Sequence, residues 1–265
     1  MGTSASSMGP GAGVSLDPAW LDDIEIPNHQ DQSQNNETLP MIISPKARFA
    51  NARRGLGEYV RSGDKNSLRR ALGHYSRTGM GGAQNLAKRM RTSTKVAVNI
   101  FNTFQSLRDN ENFALGHILA DLHSQGANAN QIIDTIVNNV CPLGGSLDEI
   151  SCRDSGTFAL SEFMSRNPNA DICNLTDDQI WSLTGMFLGN ETFSRIQLDI
   201  GQAFEKQEVP VVDRVSRLNE MKEYIQSEIS AQLNELRSSG NQTVNLQRLF
   251  QATIKNTFEV YEVEV

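Results

Sequence analysis

The chain has 265 residues, 24 Lys and Arg, 31 Asp and Glu and four His, for a formal net charge of −7. That length admits one large domain or two small ones, and 38% apolar with 6% aromatic residues suits a helical protein with a sizeable core. No run of about 18 apolar residues exists to form a transmembrane helix. The start lacks a basic n-region and an apolar h-region, so no secretory signal is expected, and Cys141, Cys152 and Cys173 form no CxxC pair. Cytoplasmic residence is the resulting expectation.

Residues 1–44 are expected to form a disordered N-terminal tail. They carry Gly2, Gly9, Pro10, Gly11, Gly13, Pro18, Pro27 and Pro40, a polar run from Asn28 to Thr38, and no Lys or Arg. Such a stretch cannot bury enough apolar surface to offset the entropy of ordering it. Its start, Met1-Gly2-Thr3-Ser4-Ala5-Ser6, has a small second residue that permits removal of Met1. Gly2 would then carry a free, unhindered α-amine with a pKa near ~8, partly neutral and nucleophilic at neutral pH. The same residues fit the Met-Gly-x-x-x-Ser/Thr acylation pattern. A single acyl chain without a basic patch anchors weakly, and the acids from Asp17 to Glu37 repel an anionic surface, so no membrane partner is expected.

Ser44-Pro45 reads as a cap with proline at the first helical position. Lys46 to Arg61 forms the first helix, stopped by Gly63, and Ser67 to Arg77 the second, with Leu68, Leu72 and Tyr75 at helical spacing. Gly79-Met80-Gly81-Gly82 is a sharp turn before a long third helix, Ala83 to Leu107. A break at Arg108–Asn112 leads to short helices at Phe113–Ser124, ended by Gly126, and at Asn130–Val140. Ser146 with Glu149, and Thr176 with Gln179, fit the capping box. The first opens a segment to Arg166, irregular around Cys152 to Gly156. The second opens a helix through Phe187, followed by another from Phe193 to Lys206. Pro210 starts the longest periodic run, to Ser238, with Val211, Val215, Leu218, Met221, Ile225, Ile229, Leu233 and Leu236 on one stripe. The last eight residues, Phe258 to Val265, alternate apolar and acidic side chains, which reads as a short C-terminal strand. The fold class is all-α, a helical bundle-like body with that tail and strand. Its regions are a tail (1–44), a basic three-helix region (45–107) and an acidic helical region (108–265).

Charge is divided along the chain. Residues 1–45 carry a net −6, residues 46–95 a net +11 from thirteen bases against Glu58 and Asp64, and residues 96–265 a net −12. Such a basic block is an electrostatic footprint for an acidic partner or a polyanion, or is neutralised by the chain's own acidic part. Its candidates for anion or partner contact are Arg53, Arg54, Arg69, Arg70, Arg77, Lys88, Arg89 and Arg91. Gly79, Gly81 and Gly82 lie before a helix start, where free N–H groups attract anions or simply close an interhelical turn. No Lys-Ser/Thr follows them, so the Walker A pattern is absent. His29, His74, His117 and His123 have no spacing that stacks two ligands on one helix face. No metal, no cofactor and no catalytic residue is expected, and Cys173 reads as a core residue.

Three stretches carry a family resemblance: Met1 to Pro10, Pro18-Ala19-Trp20, and Ser67-Leu-Arg-Arg-Ala-Leu-Gly-His-Tyr-x-Arg-Thr-Gly-x-Gly-Gly82. They resemble the QatB family of the bacterial four-gene Qat anti-phage defence system. The resemblance implies a non-enzymatic subunit that works beside a QueC-like enzyme of the same operon, with an ATPase and a TatD-like nuclease as further partners. QueC-type enzymes use ATP to activate a deazaguanine carboxylate and transfer it to a nitrogen nucleophile. The resemblance therefore implies that Gly2 is the acceptor amine, with Thr3 and Ser4 as its recognition handle and the tail giving a reach of about 35 Å. The alternative is a nucleic-acid-binding sensor that uses the basic 46–95 block on phosphates.

Overall fold

The computed structural model describes residues 47–141, 144–205, 209–238 and 245–265. The expected tail over 1–44, the Ser44-Pro45 cap and the helix end at Lys206 lie outside these residues. Within them the fold is all-α. Eleven helices are assigned: α1 (Ala50–Ser62), α2 (Lys65–His74), α3 (Ala83–Arg89), α4 (Arg91–Arg108), α5 (Phe113–Ser124), α6 (Ala129–Val140), α7 (Leu147–Arg166), α8 (Asp177–Ile200), α9 (Gln202–Glu205), α10 (Val211–Ser238) and α11 (Leu246–Glu262). A π-helical turn, Tyr75–Met80, extends α2.

Local chemistry sets most of the ends. Gly63 closes α1 in the left-handed conformation at φ 70°, donating to the Tyr59 carbonyl. Asp64 then caps α2 by accepting from the Asn66 and Ser67 N–H groups. Both expected capping boxes form, at Ser146 with Glu149 and at Thr176 with Gln179, and a third forms at Asn128 with Gln131. α1 begins at Ala50, not Lys46, because Ala47 takes φ 63° and breaks the helical path.

Four further expectations are corrected. The long third helix divides at Met90, which is buried at φ −87°, ψ 25°. The bend sends α3 against α11 and α4 against both α8 and α11. The segment after Ser146 is helical throughout, with Cys152 and Gly156 buried inside α7. The two helices expected across Thr176–Lys206 are one continuous α8 through Ile200. Gly189 does not break it, because that position is a close approach: a Cβ there would stand 3.0 Å from Gln226 Cα on α10. Asn190 ties the same turn by donating to the Met186 carbonyl at 3.0 Å and accepting from Gln226 at 3.0 Å.

The fourth correction concerns the chain end. Phe258 to Glu262 is helical, not a strand. Asn245 caps the N-terminus of α11, and Phe250, Ile254, Phe258 and Tyr261 recur at helical spacing and are all buried. At roughly 1.5–3 kcal/mol per buried large apolar side chain, that stripe outweighs the local alternation. Val260 and Val263, which a strand would have placed with the apolar set, are exposed instead.

α8 lies at the centre, packed on α10, α7 and α4, and α11 packs on α2, α3, α4 and α10. A contiguous apolar core runs from Phe49 to Tyr261. α10 buries only Met221, Ile225, Ile229 and Leu233 of its stripe, and leaves Val211, Val212 and Val215 exposed. Gly73 permits the α2–α11 approach, since a methyl there would overlap the Tyr261 carbonyl. Gly73→Ala is expected to lower the unfolding free energy by about 1–3 kcal/mol. Gly116→Ala in α5, whose methyl would meet only Leu107 Cδ2 at 3.9 Å, is expected to raise it by about 0.4–1 kcal/mol. Urea titration of both variants checks the sign of each.

Candidate functional site

The basic residues fall into two sets. In the first, side chains are turned onto the protein itself. Arg53 donates to the Asp199 carbonyl at 2.9 Å, with its guanidinium 5.9 Å from the Phe49 ring centroid. Arg69 makes a two-pronged ion pair with Glu264, one contact at 3.1 Å, and lies 5.9 Å from the Tyr261 ring centroid. Arg77 donates to the Val265 carbonyl, Ser76 donates to Glu262 at 2.5 Å, and Arg70 reaches Ser67 Oγ at 3.2 Å. The end of α11 thus brings acids and carbonyls to α2 and the π turn. In the second set, Arg54 on α1, Lys88 and Arg89 on α3 and Arg91 at the start of α4 are exposed to solvent. Gly2, Thr3 and Ser4 lie outside the described residues.

The glycine turn needs Gly79 for packing and Gly81 and Gly82 for their backbone conformation. Gly79 is buried, and a Cβ on it would fall 2.5 Å from the Phe49 ring. The ring itself stacks on Tyr75 at 5.6 Å. Gly81 and Gly82 take φ 78° and 102°, and both N–H groups donate to the Ser76 carbonyl. Their donors are thereby used within the turn.

A buried polar cluster, unanticipated from the sequence, lies where α4, α7 and α8 meet. Glu191 is 1% exposed and accepts from Ser93 at 3.1 Å, Ser151 at 2.9 Å and Ser155 at 2.8 Å. Burial raises its pKa, against the three hydroxyl donors and the Arg195 charge, which lower it. Ser194 stands 3.4 Å from Ser155. Arg195 pairs with Asp148 and, at 3.8 Å, with Asp199, and Asp199 accepts from the buried Tyr75 hydroxyl at 2.9 Å. A signal was present: Ile180, Thr184, Phe187 and Glu191 follow one another at steps of four, three and four, so a carboxylate occupies the apolar stripe of α8.

The cysteines are free, with Cys141 and Cys152 buried and Cys173 half-buried. Burial pushes the Cys141 thiol up to about 11 and raises the other two, which disfavours the reactive thiolate. His117 and His123 are exposed on α5, and burial with the charges of Arg70 and Arg77 lowers the pKa of His74. Among the described residues no group of three or more His, Cys, Asp or Glu is placed to hold a metal ion, and no helix is long and apolar enough to cross a membrane.

Comparison with protein-family models finds a match, described as Qat anti-phage system associated protein QatB, over residues 81–261. The chain belongs to the QatB family. It is therefore a component of the Qat anti-phage defence system. The matched region runs from Gly81 in the glycine turn to Tyr261 on α11, and it includes Glu191, its three serine partners and the exposed bases of α3 and α4. No curated protein and no solved structure matches the chain.

The Glu191 cluster has a pH signature. The unfolded chain ionises this side chain near about 4.3, and the folded chain at a higher pH. The folded state therefore holds the proton longer. The contribution of Glu191 is fully present below the unfolded pKa and is lost as pH rises towards the folded one. Glu191→Gln removes that loss, so its unfolding midpoint in urea is expected to gain on the parent between about pH 4 and about pH 8. An offset that stays constant over this range would contradict the assignment.

Proposed function

We propose that this defence subunit is a protein substrate and assembly subunit, without catalytic activity of its own, modified at Gly2 by the QueC-like enzyme of its system. The observation that carries the reading is the start Met1-Gly2-Thr3-Ser4 in a chain of this family. After Met1 removal the Gly2 amine attacks the activated deazaguanine carboxylate. The bond to the activating group breaks as the amide C–N bond forms, and the amine gives up a proton. Thr3 and Ser4 keep the approach small and solvated for the enzyme's recognition. The ATPase and the TatD-like nuclease are the proposed further partners, and the bacterial cytoplasm the proposed location.

Intact mass and N-terminal peptide mass test this directly, on protein from cells carrying the whole operon and from cells lacking the QueC-like gene. An added mass at Gly2 is expected only in the first. Gly2→Pro with Met1 still removed leaves a hindered secondary amine and is expected to lose both the added mass and phage protection.

A second reading, nucleic-acid binding, has its own support in the exposed Arg54, Lys88, Arg89 and Arg91. On that reading, replacing Lys88, Arg89 and Arg91 by Glu weakens a gel shift. With each phosphate contact contributing about −0.9 to the slope of log affinity against log salt, the parent's salt dependence flattens in the variant. A gel shift indifferent to salt and to these substitutions removes the reading.

A further inference from the structure

A groove of about 520 Å³ runs between the start of α7 and the end of α8 and reaches α9. Its apolar lining is Leu147, Ile150 and Leu198, which are 75%, 45% and 61% exposed. Single exposed aliphatic residues are ordinary, but three converging on one concavity form an apolar patch that a partner can cover. The floor is held from beneath. Ser151 lines the groove and donates inward to Glu191, and Ser194, which also lines it, stands against Ser155. The groove is therefore shaped before anything enters it, which lowers the cost of binding.

Charge selects the occupant. Asp154 and Glu205 line the same groove, are exposed, and meet no Lys or Arg among the described residues. Asp148 nearby is already paired with Arg195. Aliphatic side chains beside two exposed carboxylates favour a segment with apolar residues flanked by Lys or Arg, and repel a polyanion. An amphipathic helix with aliphatic residues one turn apart meets both demands.

We infer that this groove docks a basic amphipathic helix of the modifying enzyme. The inference rests on the reading above and adds to it where that enzyme holds the folded body. Binding there turns capture of the Gly2 amine into an intramolecular step at high effective concentration.

The test uses the tagged full-length chain, purified from cells carrying the whole operon, with the co-purifying QueC-like enzyme quantified at low and high salt. Leu198→Asp, Leu147→Asp and the double variant Asp154→Lys/Glu205→Lys are each expected to cut recovery of the enzyme roughly tenfold or more. Phe113→Asp, at a residue 70% exposed on α5 outside the groove, is expected to leave recovery unchanged. Circular dichroism checks that each variant stays helical. Full recovery with the groove variants overturns the groove assignment and leaves the Gly2 reading standing. No recovery with the parent chain overturns the enzyme as partner, and the groove assignment with it. A parent chain that dimerises, and that Leu198→Asp makes monomeric, assigns the groove to a second copy and also overturns the proposal.

Discussion

The apolar face of α11 is the contact on which the arrangement of the other helices depends. Phe250, Ile254, Phe258 and Tyr261 are buried, and they bring α11 against α2, α3, α4 and α10. Tyr75 and Tyr224 meet this face, Tyr75 from the π turn and Tyr224 from α10. The ion pair of Arg69 with Glu264 and the contacts of Arg77 and Ser76 at the same end are polar consequences of that docking. Magnitudes order the two effects. A partly exposed ion pair contributes about 0–1 kcal/mol, while each buried aromatic contributes roughly 1.5–3 kcal/mol. Hydrophobic burial sets where α11 lies, and the charges then meet.

The Glu191 cluster imposes a different constraint. A buried carboxylate is costly unless its oxygens are satisfied, so α4 and α7 must present Ser93, Ser151 and Ser155 at hydrogen-bond distance from α8. Any slippage of one helix along another would leave an acceptor unpaired. The next turn of α8 extends the demand: Arg195 holds Asp148 on α7, and Asp199 takes the Tyr75 hydroxyl. Together these contacts tie α8 to α4, α7 and the π turn. They also hold the floor of the surface groove, so an interior polar network fixes the form of an exterior site.

The body of this QatB-family subunit presents surfaces of opposite character. Exposed bases cluster on α3 and the start of α4, and an aliphatic groove with two exposed carboxylates lies between α7 and α8 and reaches α9. Such a division suits a subunit that meets several neighbours, because each surface repels what the other attracts. It also corrects a simple view of the basic block. Arg53, Arg69 and Arg77 are engaged with α8 and the chain end, which leaves Arg54, Lys88, Arg89 and Arg91 as the outward part of the candidate set.

The sequence contains the helical class, the starts of α6, α7 and α8 to within one residue, and the stop at Gly63. Those features rest on periodicity and on hydrogen bonds between residues three apart, which a linear reading contains. Its family resemblance was carried by residues 1–82, and the family match runs over 81–261, so membership has support from a part of the chain the motifs did not reach. The rest follows from contacts between helices. The last eight residues alternate like a strand, yet Phe258 and Tyr261 are helical because Phe250 and Ile254 extend their stripe into a shared core. Gly189 lies inside the continuous α8 and is a contact point for α10. Glu191 is buried, and only the meeting of three helices shows its hydroxyl partners. In each case the deciding atoms are distant in sequence, and the free energy of their meeting exceeds the local preference.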